Sequence, residues 1–359
     1  MTDPPQPVAD PATDRKGAGN AQATVVDPTQ THQVAAWKYD SPLQSSRFDP
    51  QGRFVFAGAQ DNTVQRWDLE SGERTTLTGH QSWVRSIAFL SEGATLLTAG
   101  YDGRLLWWPT AAKKPEPIRT VAAHKGWIRA LAVSPDGRLI ATVGNDRLVK
   151  LWNAIDGTPV HELAGHGSHV YNVAFHPGGE FLISADLKLE VKQWRIADGN
   201  PVRTLDPAKI LHKYDTGVQA HLGGARSIAF SPDGDDFVLG GIVVVATNIF
   251  DGGAGSKPTA VLVDWKTGKR KLLHQPQHPL PAVLWGTWFH PAGFLIGASG
   301  GAIGGHLFFW KRNAAHEFFQ LKLPSAGRDL ALHPDLTRLA VPQHDQHLRI
   351  YSMSAKEPA

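Results

Sequence analysis

The sequence predicts an all-β protein built from seven copies of one four-stranded unit, and three observations carry that prediction. The first is a local pattern. Residues 123–153 hold three short runs rich in β-branched and apolar residues, at 127–133, 139–143 and 148–152, with turns at 134–137 and 144–147. Apolar positions alternate instead of recurring at three and four, which is the period of strands rather than helices. The second is repetition. Taking Val133 as the end of the first run, the equivalents are Phe48, Phe89, Phe175, Phe230, Phe289 and Leu332, spaced 41, 44, 42, 55, 59 and 43 residues apart. Taking Trp152 as the end of the third run, they are Trp67, Trp108, Trp194, Trp265, Trp310 and Tyr351. The third is a leftover strand at 33–37, which belongs to no complete first unit. One such sheet has two apolar faces and buries neither alone, so it needs its own copies as neighbours. A period of about 40–45 residues with four strands per unit is the mark of a β-propeller blade.

Gly79-His80, Trp67-Asp68, Ser134-Pro135-Asp136-Gly137 and the Asn145-Asp146 turn resemble the WD-repeat (WD40) β-propeller family. The resemblance covers roughly residues 31–352 in seven units. It implies that 33–37 is the outer strand of the last blade, beside 348–351, closing the ring and removing free sheet edges. The domain organisation expected is therefore a tail at 1–30, a propeller at 31–352 and a short C-terminal tail at 353–359. The first tail is rich in Pro, Asp, Ala, Gly and Thr with almost no large apolar groups, a composition that does not repay ordering entropy and reads as disordered.

Bulk properties bound the rest. The chain has 359 residues, 42% hydrophobic and 19% charged, ample for a core. No apolar run approaches the ~20 residues that span a bilayer. The N-terminus shows no charged start followed by an apolar block, and cytoplasm is the expected location. Cysteine is absent, which excludes disulfides and thiolate sites. Net charge is +3; residues 1–30 carry two basic and four acidic side chains, leaving +5 on the remainder. That falls short of the clustered excess of a dedicated nucleic-acid binder, and nucleic acid ranks last among partner classes.

Blades one to four read as regular. Blade five starts late, after 206–223, and its second and third strands are separated by a Gly-rich insertion; blade six has a Gly-rich link at 299–305. By the family's layout, the insertions 206–222, 241–258 and 299–305 share one face over blades five and six. Long loops in a regular repeat usually carry function or are disordered.

Two sets of residues look like catalytic chemistry: His80, Thr98, Asp102 and Trp108, and His124, Thr142, Asp146 and Trp152. The resemblance implies instead a buried hydrogen-bond chain from indole to hydroxyl to imidazole to carboxylate, whose donors and acceptors are complementary. Recurrence in adjacent blades favours this structural role, since a catalytic set occurs once. Blade one has Ala57 at the hydroxyl position, blade four has Asp186 displaced, and blades five and six lack the set, so these two are expected to be the softest. No catalytic residue, metal ligand set or cofactor is expected. His176, His290 and His333 read as turn residues, and His344-Asp345-Gln346-His347 as a solvated hairpin turn.

A different set points to binding. One position per blade, two residues beyond Trp83 and Trp127, holds Gln44, Arg85, Arg129, Tyr171, Arg226, Trp285 and Arg328. In the family this position borders the channel on the entry face. Trp83, Trp127 and His169 lie just outside it, and Tyr101, Asn145 and His344 precede the tight-turn Asp. Arg, Trp and Tyr dominate binding hot spots, and Arg suits carboxylate and phosphate. The expected function is a non-catalytic protein-interaction scaffold, a monomer within a larger assembly, that takes an acidic or phosphorylated segment on this face. The alternative is a small-anion-binding or enzymatic propeller with its site under the blade five and six loops.

Overall fold

In a computed structural model of the protein, the described residues are 26–90, 93–216, 219–243 and 256–356. They form seven four-stranded antiparallel sheets plus one two-stranded hairpin, with no α-helix among them. The inner strands are Leu43–Phe48, Val84–Phe89, Ile128–Val133, Val170–Phe175, Ser227–Phe230, Val283–His290 and Ala331–Leu332. The last sheet is completed by His32–Lys38, which pairs antiparallel with His347–Ser352 from His32 opposite Ser352 to Lys38 opposite His347. The ring is thus closed by the N-terminal strand, as expected.

Packing explains why no blade stands alone. The buried apolar side chains fall into seven clusters, and each lies across one junction between neighbouring blades. Leu348 and Ile350 of blade seven, for example, share a cluster with Leu43, Val55 and Trp67 of blade one. Burial of this kind contributes roughly 25 cal/mol per Å² of apolar surface, so each junction depends on both its blades.

Polar staples supplement the clusters. Along the channel, Ser86 Oγ accepts from the Leu131 amide, Asn172 donates to the Arg226 carbonyl, Thr287 bonds Ser227, and Asp329 accepts from the Ser46 amide and Arg47. At the opposite end the turn histidines have a job that sequence reading did not assign. The Nδ1 atoms of His176, His290 and His333 accept from their own turn amides, while Nε2 donates to Gly234, Leu336 and Gly52 of the next blade.

Four details differ from expectation. Trp265 does not occupy the Trp152 position: Val263 lies opposite Phe237 in that register, and Trp265 sits past the strand, stacked on His176. Asp186 is two residues early yet lies 3.5 Å from His166 Nδ1, so blade four keeps a loose form of the chain. In blade one Tyr39 stands in for the histidine and donates to Asp61 (2.5 Å). The ring also extends past 31–352, because Val26 packs against the core and Met353 is buried in it. Residues 1–25 and 357–359 of the predicted tails, and most of the 241–258 insertion, lie outside the described residues.

Candidate interaction face

The two complete sets occupy the interiors of blades two and three. The Trp108 indole donates to Thr98 Oγ1 (2.8 Å), Thr98 donates to His80 Nε2 (2.8 Å), and His80 Nδ1 donates to Asp102 (3.0 Å). Blade three repeats this with Trp152, Thr142, His124 and Asp146 at 2.8 Å throughout. Only one imidazole tautomer satisfies both neighbours. Burial pushes Asp102 and Asp146 up, but the bond and charge of the paired histidine, with nearby amides, hold both below the ordinary carboxylate value. Both hydroxyls are fully buried inside their blades, bonded to the indole and the imidazole.

The nine residues expected at the entry face, Trp83, Arg85, Tyr101, Arg129, Tyr171, Arg226, Trp285, Arg328 and Trp127, come together at one channel mouth. All but Trp127 line a single cavity of about 290 Å³, and Trp127 lies against it through Tyr101 and Arg129. Strand geometry produces this convergence. Each ring residue sits near the start of an inner strand or, for Arg226 and Arg328, in the segment that leads into it, and in five blades the pairing shifts register there through a bulge.

Aromatic and cationic groups alternate around the mouth. Tyr101 is sandwiched between Trp83 (5.9 Å) and Trp127 (4.3 Å, planes 5° apart). Arg129 lies over Trp127 (4.6 Å) and Tyr171 (4.7 Å), Arg226 over Tyr171 and Trp285 (5.1 Å each), and Arg328 over Trp285 (5.2 Å). Such contacts contribute roughly 0.5–2 kcal/mol each, and they hold the guanidiniums in place without neutralising them. Arg85 donates to the Gln44 carbonyl (3.3 Å), Arg129 to Asn145 Oδ1 (2.8 Å), and Arg328 to His344 Nδ1 (3.2 Å). Neighbour pairing and exposure therefore coexist. Among the described residues, no carboxylate lies within 4 Å of Arg85, Arg129 or Arg226.

The field there is positive. Burial lowers the Arg226 pKa, with Arg85 and Arg129 acting in the same direction. Burial also lowers His169, with Arg129 and Arg147 adding to it. Trp83 and Trp127 remain 41% and 43% exposed, unusual for indoles and suited to contact.

Sequence reading missed Gln60 and Ala225, which also line the mouth. Gln60 precedes Asp61 as Tyr101 precedes Asp102, so the turn position was a usable signal. Of the three insertions, 206–222 forms most of the hairpin His212–Asp215 with Ala220–Gly223. The link at 299–305 is a tight turn bridged between Gly301 and Gly304. At the turn 344–347, Asp345 is held by Arg349 (2.7 Å).

The family model "WD domain, G-beta repeat" matches residues 33–68, 72–109, 115–153 and 157–195. Each match joins the outer strand of one blade to three strands of the next, the offset that ties the ring together. Seven closed blades and four matched repeats agree on the architecture. The chain is a seven-bladed β-propeller whose first four blades carry WD repeats. Matching stops at residue 195, where the hydroxyl–imidazole–carboxylate chain also stops. This WD-repeat chain is 35% identical over 77 residues to nuclear distribution protein nudF 2 of Aspergillus clavatus, covering 20% of the chain and 18% of that relative. It is 48% identical over 48 residues to nuclear distribution protein PAC1 of Mycosarcoma maydis, covering 13% and 11%. It is 35% identical over 72 residues to a guanine nucleotide-binding protein subunit beta of Schizosaccharomyces pombe, covering 20% and 23%. The matched stretch spans about a fifth or less of the length of the relatives named first. No helix among the described residues is long and apolar enough to cross a membrane.

Proposed function

We propose that this propeller is a non-catalytic interaction scaffold whose entry face binds an acidic or phosphorylated segment of a protein partner. One observation carries the reading: three guanidiniums, Arg85, Arg129 and Arg226, line one mouth with no carboxylate within 4 Å among the described residues. Charge-assisted hydrogen bonds to such groups contribute roughly 1.5–3 kcal/mol each, and guanidinium geometry matches carboxylate and phosphate oxygens two at a time. The exposed faces of Trp83 and Trp127 offer apolar contact beside the charge. The beta subunit among the similar proteins is named as part of an assembly, which agrees with a scaffold. The groups that resemble a hydrolase set are buried in two adjacent blades with their hydrogen bonds filled, which supports a non-enzymatic role.

The test compares wild type with the Arg85→Glu/Arg129→Glu variant in pull-downs from the native host, with melting curves confirming that the variant folds. Loss of the recovered partner, and its competition by a phosphorylated peptide, is the expected result. Undiminished recovery by the folded variant contradicts the proposal.

A further inference from the structure

Two cavities lie along the channel. The exit-side cavity is about 700 Å³ and is lined by the inner strands of all seven blades and by the turn prolines beyond them. Arg85, Arg129 and Arg226 line both cavities, so the guanidiniums form the partition between them. The two sides of this partition differ. The entry side is lined by Trp83, Tyr101, Tyr171 and Trp285. The exit side is flanked by Val133, Ile228, Phe230, Trp288 and Leu332, all half-buried. Among the described residues the one carboxylate on this wall, Asp329, is taken by Arg47 (2.8 Å) and the Ser46 amide (3.0 Å), so it leaves the partition uncompensated. Arg226 Nε is buried and has no hydrogen-bond partner among the described residues.

We propose that the exit-side cavity is a binding site for a small apolar carboxylate, its body against the half-buried apolar side chains and its head group on the Arg226 guanidinium. The volume lies within the range of small-ligand pockets, which are mostly apolar with a few convergent polar groups. A carboxylate supplies what the partition lacks, an anionic acceptor for a guanidinium that has ring contacts but a buried, unpaired Nε. Burial, with Arg85 and Arg129 adding to it, lowers the Arg226 pKa, so a bound anion stabilises the charged form. This site opens on the face opposite the partner-binding rim but shares Arg226 with it, so the exit-mouth substitutions below, which touch no rim residue, separate the two.

The probe is 2-naphthoate, titrated calorimetrically into the full chain at low salt, with 2-naphthalenemethanol as its neutral counterpart. The expected result is saturable one-to-one binding of the acid, weakened at least about tenfold in the alcohol and in Arg226→Gln. The double variant Pro177→Glu/Pro334→Glu changes two exposed exit-mouth prolines and adds like charge on that face only. It is expected to weaken the acid severalfold with an unchanged melting temperature. Absence of saturable binding, equal affinity for acid and alcohol, or full affinity in the folded exit-mouth variant each overturns the proposal.

Discussion

Blades three and six occupy equivalent places in the ring and are held together by different chemistry. In blade three the Trp152 indole, opposite Ile140, donates to Thr142, which bonds His124 and through it Asp146. In blade six Trp310 lies opposite Leu295 in the same register, but Gly297 stands where Thr142 would be. The Trp310 indole fills that space: a Cβ on Gly297 would meet the ring at 2.7 Å, and the buried Nε1 has no hydrogen-bond partner among the described residues. Blade six makes up the difference in other ways. Trp310 packs against Phe308 (5.2 Å) and His274 (5.9 Å). Arg312 bridges to Asp233 and Asp236 of blade five (2.6 Å each). The lesson is that the blade requires a large ring on its third strand and a filled junction. The polar chain is one way to hold that ring, and aromatic packing with an ionic staple between blades is another.

The severest way to break this comparison is to remove a junction altogether. Deletion of residues 32–38 exposes the last blade's edge and is expected to abolish a folded monomer, whereas deletion of 1–25 leaves the melting temperature nearly unchanged. Equal melting temperatures for the two truncations would refute the closure account. Next in size is Thr142→Val, which leaves Trp152 Nε1 and His124 Nε2 buried and unpaired. It is expected to cost about 2–4 kcal/mol in urea unfolding, and a loss below about 0.5 kcal/mol would show the chain to be dispensable even in blade three. Gly297→Ser, which writes the blade-three hydroxyl into blade six, is expected to destabilise by roughly 1–3 kcal/mol through overpacking. A gain in stability would mean that the orphaned indole had simply lacked its partner.

His274 sharpens the contrast through pH. It occupies the register position held by Leu77 in blade one, opposite Ala260 as Leu77 is opposite Val64. Burial lowers its pKa to about 4, against a smaller opposing effect of its bond to the Ala314 carbonyl. Between that value and the ordinary ~6.5 the unfolded chain binds the extra proton, so this contribution is complete above ~6.5 and is lost as pH falls towards about 4. His274→Leu is expected to flatten the stability curve across this window while changing stability at pH 7 by less than about 1 kcal/mol. An unchanged acid slope in the variant would remove His274 from the account.

Much of the ring was legible because strands and turns are local. The anchors at Val133 and Trp152, the turns, and the spare strand at 33–37 define blades without any tertiary knowledge. The rim was legible for the same reason, since one side chain per repeat reaches the axis at a set distance from the turn. What escaped was set by register and by contacts across junctions. Trp265 looks like Trp152 by spacing, but blade five's longer paired strands put Val263 in that place. Asp186 looks displaced in sequence, yet its turn brings it back towards His166. The reach of His176, His290 and His333 into the next blade depends on how two turns dock, and nothing in a single repeat reports it.

The most direct test of the central claim is an array of acidic, phosphorylated, neutral and basic peptides probed with wild type and Arg85→Glu/Arg129→Glu. The account predicts that wild type retains anionic peptides, that phosphate strengthens them, and that the folded variant loses them. Retention of neutral or basic peptides, or an identical pattern in both proteins, would contradict it.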